Sequence, residues 1–118
     1  MIPKDEDRRR HKRYKVENSV SISSDGVFQV TDISRGGFCF RCPPFTSISD
    51  FWDSDILTPI EQLKTFSAKL VWFFMSEDSS YSVSPMIVGA KFRKLSKKQN
   101  LLLSNFIEAA SRQDFLEK

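Results

Sequence analysis

Two clusters of residues in this 118-residue chain carry chemistry beyond folding. The first is the run Arg8-Arg9-Arg10-His11-Lys12-Arg13, which contains the spacing Arg9-x-x-x-Arg13. Guanidinium groups are planar, permanently charged and rich in hydrogen-bond donors, so the run suits an anionic partner. Read alone, it is a solvated charged segment first and a nucleic-acid tail next. The second cluster is Asp32-Ile33-Ser34-Arg35-Gly36-Gly37, an Asp-x-Ser-x-x-Gly pattern. Read alone, it is a β-turn in which Asp32 and Ser34 bond the backbone and the glycines supply the turn angles.

Charge is unevenly placed. The net charge is +3, and the first eighteen residues hold seven Lys/Arg against four acids, so the whole excess sits there. A basic arm on a neutral body implies an anionic partner that meets the arm. The other reactive candidates are weak. Cys39 and Cys42 are too few for a disulfide framework. Residues three apart on a strand face opposite ways, and His11 is the only imidazole, so a zinc site lacks ligands. His11 itself reads as a solvated neighbour of the arginines. Trp52 and Trp72 read as core or barrel surface rather than a base-stacking platform. The sequence shows no Ser/His/Asp, paired-carboxylate, Walker or dinucleotide-fold pattern, which argues against an enzyme.

The elements that must position these clusters follow from periodicity. Residues 1–12 are almost all polar and are expected to form a flexible basic arm. Alternation then starts: Tyr14, Val16, Val20 and Ile22 are expected on one face, Lys15, Glu17, Ser19, Ser21 and Ser23 on the other, as one half-buried strand. Asp25-Gly26 predicts a hairpin turn. A second strand is expected over Val27–Ile33, broken by Ser34-Arg35-Gly36-Gly37, and a third over Phe38–Arg41, ended by Pro43-Pro44. Residues 45–64 mix apolar side chains with Asp, Ser and Pro, and no strand can be placed there. Strands are expected over Phe66–Met75 and Tyr81–Phe92, with a loop at Asp78-Ser79-Ser80 between them. Within the second of these, Met86, Val88, Ala90 and Phe92 share one face and Gly89 lies on the other. Ser96-x-x-Gln99 predicts a capping box, and Leu102, Leu103, Phe106, Ile107 and Ala110 follow at helical spacing. Five or six antiparallel strands and one helix argue for a mainly β fold, a small barrel or open roll with a C-terminal α-helix. The expected division is arm 1–12, folded body 13–112 and tail 113–118. No leader pattern and no membrane-length apolar run is present, so a soluble, cytoplasmic chain is expected.

In this order, the two clusters resemble the signature of the PilZ family, an Arg-x-x-x-Arg arm followed by Asp/Asn-x-Ser-x-x-Gly. Eighteen residues, 14–31, separate Arg13 from Asp32, toward the short end for the family. Gly89-Ala90-Lys91-Phe92 looks like the family's last core strand, and Lys69-Leu70-Val71-Trp72 like the strand before it. The resemblance covers most of residues 8–110, with 43–65 matching poorly.

The resemblance implies a six-stranded antiparallel β-barrel that binds cyclic di-GMP on its outer surface as a receptor. It implies ligand contacts from Arg8, Arg9, Arg13, Asp32, Ser34, Gly36 and Gly37. The residue types suit that ligand. Arg clamps a phosphate, meets the O6/N7 edge of guanine or stacks on the base. A carboxylate at Asp32 accepts from guanine N1–H and N2–H, a donor pair that adenine lacks. Ser34 adds a hydroxyl, and Gly37 allows a close backbone approach. An Arg at position 8 looks associated in this family with a stacked ligand dimer, which implies two molecules per chain. No metal or cofactor is implied. A downstream protein partner is expected, with no DNA, RNA or membrane partner. A degenerate adaptor without nucleotide binding and a basic-arm nucleic-acid binder are the rival readings.

Overall fold

The computed structural model describes residues 11–76 and 85–116, with side chains as far as Arg112. Arg8, Arg9, Arg10, the 78–80 loop and the first four residues of the strand expected at 81–92 lie outside the described residues.

Among the described residues seven strands and one helix follow in order: β1 (Tyr14–Lys15), β2 (Val20–Ser23), β3 (Gly26–Ile33), β4 (Gly37–Cys42), β5 (Phe51–Leu57), β6 (Gln62–Met75), β7 (Met86–Phe92) and α1 (Lys97–Leu116). All pairings are antiparallel. The lateral order β3-β2-β5-β6-β7-β4 returns to β3 through the β3–β4 pairing, so six strands close a barrel. The short β1 is an extra strand on the C-terminal half of β3, with Tyr14 opposite Ile33 and Lys15 opposite Asp32. The expected six-stranded barrel with a C-terminal helix is the fold observed.

The interior is aromatic. Phe28 stacks on Phe40 at 5.3 Å, Phe38 lies between Phe40 and Phe92 at 5.8 and 5.6 Å, and Phe66 meets Phe92 edge-on at 5.3 Å. Trp52 closes this run against Phe40. Leu103, Phe106, Ile107 and Ala110 of α1 join the same core, so the helix covers one mouth of the barrel. Its start is the capping box read from the sequence. Ser96 N donates to Gln99 Oε1 at 2.9 Å, and Gln99 N donates to Ser96 Oγ at 3.1 Å. Replacing Ser96 by Ala removes one of these bonds and frees a helix N–H. A loss of about 1 kcal/mol is expected, read as a fall of a few degrees in Tm; an unchanged melt would show that the helix is held by its apolar face alone.

Two expectations need correction. The first predicted strand is two strands, and its faces exchange midway. Asn18 adopts φ 54°, a left-handed bend that interrupts the ladder between β1 and β2. After it, Ser21 stands opposite Phe28 and Ile56, both in the core, while Ile22 stands opposite Val27 and Asp55 on the outside. Ser19 and Ser21 are therefore buried and Ile22 is exposed, the reverse of the reading from alternation. Ser19 meets the cost of burial by donating its hydroxyl to Glu17 O at 3.0 Å. The second correction concerns residues 45–64, which contain β5, and β6 begins at Gln62 rather than Phe66. Among the described residues no helix is long and apolar enough to cross a membrane.

Candidate functional site

The Asp-x-Ser-x-x-Gly segment forms the bend between β3 and β4. Ser34 N donates to Gly37 O at 2.8 Å. The Ser34 hydroxyl accepts from the N–H groups of Gly36 and Gly37 at 3.1 and 3.2 Å and reaches Gly37 O at 3.4 Å. The turn reading therefore describes Ser34, whose hydroxyl latches the bend. Asp32 takes no part in that latch. Among the described residues its carboxylate receives a 3.5 Å contact from the neighbouring Thr31 hydroxyl and no other hydrogen bond.

Asp32 is aimed by a bulge. The β3–β4 register shifts between Val30 and Asp32, so Val30 and Ile33 both face the core although they are three apart. Asp32 consequently lies on the outer face opposite Cys39. Register carries that row onward: Cys39 is opposite Gly89, and Gly89 is opposite Trp72. The row runs from a carboxylate, across a thiol and a glycine, to an indole, spanning about 14 Å at the usual strand spacing. The Trp72 ring lies flat in the space left by Gly89, where an added Cβ would stand 2.3 Å from the ring. Phe74 stacks behind Trp72 at 5.6 Å.

The arm enters this row from the other side. A cleft of about 180 Å³ is lined by His11, Arg13, Asp32, Ser34, Gly36 and Gly37 together with Phe38, Cys39, Val71, Trp72, Gly89 and Ala90. Of the seven site residues expected from the sequence, Arg13, Asp32, Ser34, Gly36 and Gly37 meet here; Arg8 and Arg9 lie outside the described residues. The His11 ring sits against Gly36, with its Cδ2 3.0 Å from where a Cβ would be. Gly36 thus seats the arm on the bend. Gly37 has a different reason to be glycine: its missing side chain faces the Ala90 carbonyl oxygen, 1.9 Å from an added Cβ. Arg13 makes no hydrogen bond or ion pair among the described residues, so its guanidinium donors are available to a ligand.

Trp72 and Val71 were missed as cleft residues by the sequence reading, which took Trp72 as core or barrel surface rather than a stacking platform. Trp52 is core, as that reading allowed. The two cysteines face opposite ways as expected: Cys42 is in the core cluster and Cys39 lines the cleft. Burial pushes the Cys42 thiol pKa up, against the lowering effect of a hydrogen bond with Thr46, so it is not an activated nucleophile. Among the described residues no group of three or more His, Cys, Asp or Glu is placed to hold a metal ion. Two larger depressions, of about 860 and 410 Å³, lie beside the β5–β6 hairpin and α1 and contain none of the expected site residues.

The bend also touches the helix. Arg35, between Ser34 and Gly36, donates from Nη1 to Ser104 Oγ at 2.9 Å.

Comparison with solved structures finds the same fold. The PilZ domain of YcgR from Escherichia coli, solved with c-di-GMP, superposes with a TM-score of 0.72 at 16% identity, covering 93% of this chain and 96% of that one. The complex of K. pneumonia MrkH with c-di-GMP gives 0.78 at 13% identity, covering 93% of this chain and 55% of MrkH. A second structure of MrkH, described as a c-di-GMP-dependent transcription regulatory factor, gives 0.68 at 13% identity, covering 86% of this chain and 50% of that one. This chain therefore spans about half of MrkH. No curated protein matches it. Residues 7–109 match the family model described as PilZ domain, from before the basic run to the last buried turn of α1, and the chain belongs to that family.

Proposed function

We propose that this protein is a receptor for cyclic di-GMP, with the cleft between arm and bend as its binding site. One observation carries the reading: Arg13 of the arm and Asp32 beside the bend open into one cleft although eighteen residues separate them. The ligand has both groups that this pairing suits, phosphates for the guanidinium and guanine edges for the carboxylate. The Trp72 indole supplies an apolar wall against which a base packs. Relatives solved with c-di-GMP and a match to the family model support the same ligand.

The mechanism follows from where the groups lie. Arg8 and Arg9 join Arg13 in holding phosphate and guanine, while Asp32 reads the guanine Watson–Crick edge. Gly36 and Gly37, latched by Ser34, hold the bend in place and bring its backbone to the ligand. The entropy lost on binding is offset by charge-assisted hydrogen bonds between the arginines and the ligand. Arg35 passes any movement of the bend to α1 through Ser104. The altered arm and helix surface is what a partner protein reads. The protein acts by binding, not by catalysis, and its charged arm serves the dinucleotide rather than DNA, RNA or a membrane.

Trp72 reports on this directly. Trp52 is 9% exposed and sits in the core, so a ligand-dependent emission change belongs to Trp72. Titration with cyclic di-GMP is expected to give a saturable change. Asp32→Ala is expected to weaken it by roughly 30-fold, from the loss of about 2 kcal/mol in charge-assisted bonds. An Asp32→Ala variant with wild-type affinity would remove the carboxylate from the site.

A further inference from the structure

A second charged feature lies beside the cleft. Lys69 of β6 and Lys91 of β7 are direct register partners. Their neighbours Ala68 and Ala90 are buried, and both lysines are exposed on the outer face. Directly opposed side chains start about 5 Å apart, where like charges destabilise a sheet. Neither lysine has a hydrogen bond or ion pair among the described residues. The nearest acid along β5, Asp53, is opposite Ser67 and accepts its hydroxyl at 2.8 Å. A third cation, Arg93, stands over the Phe51 ring at 4.4 Å, and Phe51 is the register partner of Lys69 on the other side.

The pair is continuous with the cleft. Lys91 is opposite Gly37, a cleft residue, and lies two residues along β7 from Gly89, beneath Trp72. Two residues of strand are about 7 Å, within reach of a lysine side chain. Two lysines paired across the register, with no ion pair among the described residues and at the rim of a site for a dianionic ligand, match a phosphodiester bridging them.

We propose that Lys69 and Lys91 form a phosphodiester subsite at the rim of the cleft, holding a phosphate that Arg13 does not reach. The proposal rests on the cyclic dinucleotide reading above. The phosphate belongs either to the molecule in the cleft or to a second molecule stacked on it.

The test is a calorimetric titration of the full chain with cyclic di-GMP at two salt concentrations, for wild type and Lys69→Gln/Lys91→Gln. Melts without ligand accompany it. Removing the like-charge pair is expected to leave the apo Tm unchanged or higher, so lost binding is not lost folding. The double variant is expected to bind about 10-fold more weakly, from two partly exposed charge interactions, and with a shallower salt dependence. A stoichiometry falling from two to one assigns the phosphate to a second molecule; an unchanged stoichiometry with lower affinity assigns it to the first. Wild-type affinity, stoichiometry and salt slope in the double variant overturn the subsite and leave the receptor intact. Absence of binding in the wild type is a separate result, which removes the receptor reading and the subsite with it.

Discussion

Arg13→Ala is expected to weaken cyclic di-GMP binding about 100-fold, the equivalent of about 3 kcal/mol for a multidentate charge-assisted contact. The residue is placed for this. It lines the cleft with Asp32 and the bend, and no neighbour among the described residues competes for its donors. Truncation therefore removes ligand contacts without orphaning a protein group, and Tm without ligand is expected to stay within a degree or two. Arg13→Lys is the sharper comparison. It keeps the charge but loses the planar fork, so partial retention is expected if phosphate attraction dominates and near-complete loss if the guanidinium meets a guanine edge. Affinity unchanged in Arg13→Ala would separate the arm from the site.

Gly37→Ala is expected to damage the fold itself. An added Cβ would stand 1.9 Å from Ala90 O, 2.9 Å from its carbonyl carbon and 3.0 Å from Lys91 Cα, all backbone atoms. No rotamer change relieves such a contact, so β4 and β7 must part where they close the barrel. A loss of at least about 3 kcal/mol is expected, at the upper end for overpacking. That is a large share of the roughly 5–15 kcal/mol available to a domain, and a Tm fall of about 10 °C or more should accompany it. Gly36→Ala provides the contrast. Its added Cβ is crowded by the edge of the His11 ring alone, at 3.0 Å, with Ser34 Oγ at an ordinary 3.8 Å. The arm can yield there, so stability should hold while the seating of the arm changes. Equal melts for the two variants would contradict this division of labour between adjacent glycines.

The difference between those glycines also shows what sequence could and could not reveal. The bend was legible as a turn, because Ser34 and two glycines favour one locally. That Gly37 faces a carbonyl of β7 depends on a pairing between residues more than fifty positions apart, which no local signal carries. The same holds for Trp72. It joins the cleft only through the chain of partners Asp32, Cys39, Gly89 and Trp72, and two bulges set that register. The Asp25-Gly26 hairpin and the Ser96–Gln99 capping box were legible because each is short-range chemistry. The bend at Asn18 was not, although Asn tolerates a left-handed φ, because Val20 and Ile22 keep the sequence phase of Tyr14 and Val16 while the structure buries Ser19 and Ser21 instead. β5 stayed hidden for another reason. Its inward positions are Trp52, Ser54 and Ile56, while Phe51 and Leu57 stand on the outward positions, so polarity does not track facing.

Arg13 and Asp32 were brought together by likeness of motif, and both line one cleft. A nucleic-acid tail gives no reason for a carboxylate to face the same cleft as its cation.

Calorimetric titration of the full chain with cyclic di-GMP, run beside cyclic di-AMP, tests the central claim most directly. Saturable binding of the guanine dinucleotide with little or none of the adenine one is the predicted result, because Asp32 needs the N1–H and N2–H donors. No heat with cyclic di-GMP, or equal affinity for the two, would contradict it.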